Sequence, residues 1–189
     1  TKDSMIELIR YAHGTKGLIL GLLANIWFLG MMKLHLYPNW RSKERILAHF
    51  FGGMSTEAFD VLCNNFAALH HTDIRPQAIA EINDIIAQGG KVIVVSASAE
   101  NWVAPMLAKA FNSMPTLSGT HLEVKDGKIT GLIEGHNCYG EEKVNRIKEY
   151  MQANDMKRAE YYIYAYGDSQ GDKQMMEYAD ESFYKPFRQ

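Results

Sequence analysis

Two carboxylates, Asp168 and Asp172, stand four residues apart in Gly167-Asp168-Ser169-Gln170-Gly171-Asp172, directly after the strand-like run Tyr161-Tyr162-Ile163-Tyr164-Ala165-Tyr166. An apolar strand that breaks at glycine leaves both acids at its C-terminal edge, which is where open parallel sheets bind ligands. Oxygen ligands at that spacing suit a hard cation such as Mg2+. Read alone, the segment equally allows Asp172 to cap a helix through Met175 and Met176, with Asp168 an ordinary turn residue. A second run, Val92-Ile93-Val94-Val95-Ser96-Ala97-Ser98, ends a buried strand in a hydroxyl and small residues before a helix. Small residues let backbone N–H groups approach a ligand, and a helix N-terminus favours an anion, so Ser96 and Ala97 are phosphate-binding candidates. The competing reading is a serine N-cap. A third segment, Gly140-Glu141-Glu142-Lys143-Val144, puts a lysine in the first turn of a helix, beside the positive end of its dipole. A residue that breaks a local rule is a candidate for function, and Lys143 fits a phosphate and the charge that develops on it during transfer. Its plainer role is a surface lysine paired with Glu141 or Glu142.

These residues need a scaffold. From about Lys2 to His71 apolar residues recur at helical spacing, as in Met5, Ile6 and Ile9 and in Ile46, Leu47 and Phe50. Ser42 and Ser55 sit where N-caps belong, and Gly14 and Gly52-Gly53 where helices stop. From Pro76 the texture changes. Pro76 opens a helix that Gly89-Gly90 ends, and a strand over Val92–Val95 comes next. Then come a helix from Glu100 to Phe111, a ribbon turning at Lys125-Asp126-Gly127-Lys128, and a helix near Glu141. The 161–166 strand, a helix from Asp172 and a strand near Phe183 complete the order. This alternation predicts an α/β fold with a parallel sheet covered on both faces: a core over residues 76–189 and a helical appendage over residues 1–75.

The chain has 189 residues, 47% hydrophobic content and a formal net charge of -2, so it is a globular domain and not a broadly basic nucleic-acid binder. Two cysteines, Cys63 and Cys138, make neither a disulfide framework nor a zinc signature. A reducing, cytoplasmic setting is the expectation. Adjacent His70 and His71 point apart on a helix and mark its end rather than a metal site. Cys138 and the Met175-Met176 face are expected in packing roles.

The order of the three chemical segments resembles motifs two, three and four of the haloacid dehalogenase superfamily, most closely its phosphoserine-phosphatase-like branch. The matching runs are Val94 to Ser98, Asn137 to Val144 and Tyr166 to Asp172, and the resemblance covers nearly the whole chain. It implies a Rossmann-like parallel sheet with an inserted helical cap domain, and a Mg2+-dependent phosphomonoester hydrolase. By resemblance Ser96 and Lys143 bind the transferring phosphoryl group, Asp168 binds Mg2+, and Asp172 supports the metal site and orients its neighbours. The family's first motif, a strand ending Asp-x-Asp-Gly-Thr, supplies the nucleophile and the general acid–base, and this sequence does not contain it. Thr1-Lys2-Asp3-Ser4 resembles the residues immediately C-terminal to that motif, so the expectation is a nucleophile strand ahead of Thr1. Taken as it stands the chain would be inactive, with two inner strand edges unpaired. It would then be a phosphate- or lipid-binding module, the competing class of function.

In this branch the cap selects the substrate. Here it contains the apolar stretch Gly17 to Met32, flanked by Lys16 and Lys33, with Tyr37, Trp40, Arg41, Lys43 and Arg45 beyond. The stretch falls short of the roughly 20 residues that span a bilayer. It is read either as a buried cap helix or as a greasy surface for an acyl-chain substrate or a peripheral membrane contact through residues 17–36. It also resembles, more loosely, the apolar cap of the C-type phosphatidylglycerophosphatases, which implies a lipid or other amphipathic phosphate. Phosphoserine fits less well: phosphoserine phosphatases carry asparagine before the second motif-four aspartate, and here that position is Gly171.

Overall fold

A computed structural model describes residues 3–34 and 36–187. The expectations attached to Thr1 and Lys2 lie outside the described residues, as does His35 within the 17–36 stretch.

Four helices lead the chain. α1 (Ser4–Ala24) starts where the Asp3 carboxylate accepts hydrogen bonds from Met5 N and Ile6 N, satisfying two orphan amides of the first turn. Gly14, at φ 69°, breaks it into two segments, as a helix-stopping glycine should. α2 (Ile26–Lys33) comes after a sharp bend. α3 (Asn39–Phe51) begins after Pro38 and ends at Gly52. Ser42 is therefore not an N-cap. It lies one turn inside α3, buried, with its N–H bonded to Pro38 O, because Asn39, Trp40 and Arg41 extend the helix ahead of the apolar pattern from Ile46. Ser55 does cap α4 (Thr56–His70), accepting from Ala58 N at 3.2 Å.

α5 (Pro76–Ala87) leads into β1 (Ile93–Ala99), then α6 (Glu100–Ala110), β2 (Thr116–Lys125) and β3 (Lys128–Glu134). α7 (Glu141–Ala153), β4 (Tyr164–Gly167), α8 (Lys173–Tyr178) and β5 (Glu181–Tyr184) complete the order. β1–β2 and β4–β5 pair in parallel, and β2–β3 is the antiparallel ribbon, with both turn residues Asp126 (φ 51°) and Gly127 (φ 70°) in the left-handed region that such hairpins demand. The fold class is as expected, an α/β Rossmann-like sheet with helices. Among the described residues the sheet is in two pieces, β1-β2-β3 and β4-β5, so β1 and β4 each keep one unpaired edge.

Two boundaries and one burial differ from expectation. β4 is shorter than the 161–166 run, because side chains claim the backbone ahead of it: Arg158 donates to Tyr161 O, and Asp180 accepts from Ile163 N. α8 begins at Lys173, since Asp172 closes a separate single turn over Gln170–Asp172. Met175 and Met176 are half-buried rather than core.

The apolar core is continuous across the helical half and the sheet. Leu8, Ile9, Leu47, Phe51, Phe59 and Phe66 form one cluster with Trp102, Leu122 and Ile129. The tightest seam is between β3 and α3, where Gly131 sits at φ 86° and a Cβ would come within 2.3 Å of the Ala48 backbone. Gly131→Ala is expected to destabilise the fold by about 3 kcal/mol, read as a lower urea midpoint at unchanged slope.

Candidate active site

Lys143 resolves the oddity of a cation in the first turn of α7. Its side chain turns inward instead of meeting solvent. It is 6% exposed, with Nζ 2.8 Å from Asp172 Oδ1 and donating to Val95 O at 2.6 Å. The surface alternative does not occur, because Glu142 pairs with Arg146 one turn on. Lys143 thus ties the edge strand β1 to the loop after the edge strand β4.

Asp172 does not cap α8. Its Oδ2 accepts from Asp168 N at 3.0 Å, Ser169 N at 2.9 Å and Ser169 Oγ at 2.7 Å, while Oδ1 faces Lys143. Burial pushes this carboxyl up, but the Lys143 charge and the hydrogen bonds together pull it further down, leaving it below the usual aspartate value. It is an ionised clamp that fixes the backbone at Asp168. The same loop is pinned to α7 by Gly140 N donating to Gly171 O. Gly171 packs closely under Tyr139: a Cβ there would come within 2.4 Å of the ring, which would have to shift.

Asp168 is half-buried and lines a cleft of about 270 Å3 with Arg75, Tyr166, Asp172, Lys185 and Phe187. Tyr166 closes one side by donating to Glu81 Oε1 at 2.7 Å. Burial first, then that bond, pushes its hydroxyl up to about 12, so it stays protonated.

Ser96 and Ala97 lie differently from expectation. They are within β1 rather than at the turn, and α6 starts only at Glu100 behind the uncapped Ala99. The helix dipole is therefore not aimed at Ser96. What sets these residues apart is a break in the ladder. Between Val95 and Ala99 the partners on β2 advance only from Ser118 to Thr120, so Ser96 to Ser98 bulge out of register. Within the bulge Ser96 Oγ accepts from Ser98 N at 3.1 Å. The start of α1 is tied to the same strand through Ser4 Oγ, which meets Ser98 Oγ at 2.8 Å and accepts from Trp102 Nε1 at 3.1 Å.

Sequence reasoning misses one residue at this edge. Lys43, on α3, reaches across to donate to Ala97 O and, at 2.9 Å, to Asn137 Oδ1. Thr120 Oγ1 bonds the same Ala97 carbonyl. Nothing in the local pattern around Lys43 reports this, since its partners are 54 and 94 residues away. Burial lowers its amine from 10.5 to about 8, against a smaller opposing pull from Asp3. Between those values the unfolded chain holds a proton that the folded chain has released, so stability rises with pH from about 8 towards 10.5. In Lys43→Met that rise should flatten, as seen by comparing urea midpoints of both proteins at about pH 7.5 and 9.5.

Cys63 and Cys138 are free and fully buried, and burial raises both thiols, Cys63 to about 12, so neither is poised as a nucleophile. His70 ends α4 and bonds Asp73 at 2.8 Å. Among the described residues no three His, Cys, Asp or Glu side chains converge to hold a metal. Asp168 and Asp172 both line the cleft, and both Asp172 oxygens are engaged by Lys143 and the loop backbone. Mg2+ accepts such a sparse protein set, because it keeps waters and takes substrate phosphate oxygens.

Comparison with known proteins gives this geometry a family. Protein CicA of Caulobacter vibrioides (strain NA1000 / CB15N) is 32% identical over 197 residues, covering 99% of this chain and 81% of its own length. A protein of unknown function from Bordetella pertussis Tohama I superposes with TM-score 0.76 at 21% identity, over 94% of this chain and 78% of its own. A probable phosphoserine phosphatase from Vibrio cholerae does so at 0.72 and 17%, over 98% of this chain and 55% of its own. A phosphoserine phosphatase carrying a phospho-aspartyl intermediate analogue does so at 0.63 and 17%, over 96% and 78%. At these identities the structures show a shared fold. The haloacid dehalogenase-like hydrolase model matches residues 1–177, and with the CicA identity it makes this chain a member of the haloacid dehalogenase-like hydrolase family.

Proposed function

We propose that this protein is a Mg2+-dependent phosphomonoester hydrolase working through an aspartyl-phosphate, with a lipid or other amphipathic phosphate as its substrate class. The observation that carries the reading is the buried Lys143–Asp172 pair, which holds a cation beside Asp168 and the bulged strand of Ser96. A buried ammonium aimed at that edge is suited to an anion whose charge grows during transfer. Ser96 and the adjacent Ala97 N–H would orient the phosphoryl oxygens, and Lys143 would neutralise them. Asp168 would hold Mg2+, which when bound polarises a phosphoryl oxygen.

In this reading the nucleophile is an aspartate on a strand laid along the free edges of β1 and β4, as the family resemblance implies. Its carboxylate oxygen bonds to phosphorus while the ester P–O bond breaks, and a neighbouring aspartic acid protonates the leaving alcohol. Water, deprotonated by that same aspartate, then attacks the phosphorus, releasing inorganic phosphate and restoring the carboxylate. Gly171, where phosphoserine phosphatases carry asparagine, supports a substrate other than phosphoserine.

The test is release of phosphate from an aryl phosphate and from long-chain phosphate monoesters by the natural gene product, with Mg2+ and with chelator. Mg2+-dependent turnover is expected, with preference for the long-chain esters. Phosphate binding without turnover would replace this reading with that of a binding module.

A further inference from the structure

We propose that the outer face of the second half of α1 and of α2 docks this protein on an anionic lipid bilayer, lying in the interface rather than crossing it. The docking stands apart from the catalytic reading and survives its failure.

The sequence leaves the 17–36 stretch between a buried helix and a greasy surface; the structure buries one side, at Leu18, Gly21 and Asn25, and exposes the other. Lys16, Ile19, Leu20 and Leu23 form one solvent-facing stripe of α1 at helical spacing. Ile26, Trp27, Gly30 and Lys33 form a second on α2, which has no buried residue at all, and Leu34 just after it continues the stripe. Trp27, at the bend, is 81% exposed, and Leu36 just beyond is 74% exposed. A contiguous apolar patch of this kind marks an interaction surface.

The bend is built into the chain. Asn25 is buried with its Nδ2 donating to Gly21 O at 2.9 Å, and the two helices meet at 67°. The inner side of α2 already has its partners, since the Arg45 guanidinium lies over the Phe28 ring at 3.5 Å and Phe28 packs on Tyr37. The outer side chains are therefore surplus to the fold.

Charge names the occupant. From Leu8 to Lys43 the sequence has not one Asp or Glu, and Lys16, Lys33 and Arg41 in that span are exposed, in a protein of net charge -2. An apolar stripe with an exposed tryptophan and basic flanks is complementary to an anionic lipid surface and not to a neutral protein groove. Among the described residues no single helix is long and apolar enough to cross a membrane, and the 67° bend fits a pair lying along the surface.

The experiment is co-sedimentation of the full chain with phosphatidylcholine vesicles, with and without roughly a quarter phosphatidylglycerol. Binding to the anionic vesicles is expected, weakened by salt, with a blue shift of tryptophan emission that Trp27→Phe removes. The double variant Leu23→Glu/Trp27→Glu should bind at least about tenfold more weakly, with circular dichroism unchanged because both side chains are outside the core. A second variant, Lys33→Glu, tests charge without touching the apolar face and should cost about fivefold or more at low salt. No binding to anionic vesicles, or equal binding by the double variant, would overturn the proposal. So would resistance to alkaline carbonate extraction, which would mean a spanning pair. A concentration-dependent dimer that the double variant abolishes, with no vesicle binding, would assign the face to a second copy.

Discussion

Lys143→Met should be the most destabilising single change in the candidate site. It leaves the Asp172 carboxylate buried with its partner gone, a loss of roughly 3–5 kcal/mol. Lys143 Nζ also satisfies Val95 O, whose bond would be lost with it. The pH dependence separates this from a mere packing defect. Asp172 is held below the ordinary carboxylate value of 3.8, so its contribution is fully present above the unfolded value and is lost as pH falls through the folded one. The gap between wild type and Lys143→Met should therefore be full at neutral pH and close below about pH 4. Urea denaturation across that range measures it. The double variant Lys143→Met/Asp172→Asn should recover part of the loss, because no buried charge is left behind. A gap independent of pH would show that Lys143 acts by volume alone.

Asp168→Asn should abolish Mg2+-dependent phosphate release, by roughly a thousandfold or more, with little effect on folding. The contrast with Lys143 comes from position: Asp168 is half-buried on the cleft, while Lys143 is buried and does not line it. Mg2+ binding by calorimetry should be lost in the same variant, a readout that does not depend on turnover. Near-normal hydrolysis by Asp168→Asn would remove the metal assignment. Near-normal Mg2+ binding with no hydrolysis would move the residue's role from the cation to the backbone of its loop. With both expected results, the two variants would divide the site into a positioning pair and a metal-facing carboxylate.

The physical division between sequence and structure runs along the range of the interactions. Local signals were legible: the Pro76 start, the Gly14 and Gly52 stops, the Ser55 cap and the Asp126-Gly127 turn depend on backbone preferences of one to four residues. So was the alternation that makes an α/β fold, because hydrophobic periodicity is a property of each segment by itself. The order of Ser96, Lys143 and Asp168 pointed to the hydrolase family without any coordinates, as their surroundings recur in sequence. Where local competition is fine, the pattern misleads: Ser42 has the chemistry of a cap but is overtaken by a helix that begins earlier, and Ser96 is a turn serine only until the β1 ladder is seen to bulge.

Contacts between distant segments belonged to the tertiary structure alone. Whether Lys143 met Glu142 or Asp172 depended on α7 packing beneath the 167–172 loop, and nothing in residues 140–144 encodes that choice. Lys43 became part of the site because α3 lies over the bulged strand. The apolar stretch Gly17 to Met32 shows the same limit from the other side. Composition made it hydrophobic, but only the bend at Asn25 and the packing of Phe28 decided which side chains face outward. Local conformational preference is written residue by residue, whereas burial is a property of the assembled chain, since a side chain is inside only when another segment covers it.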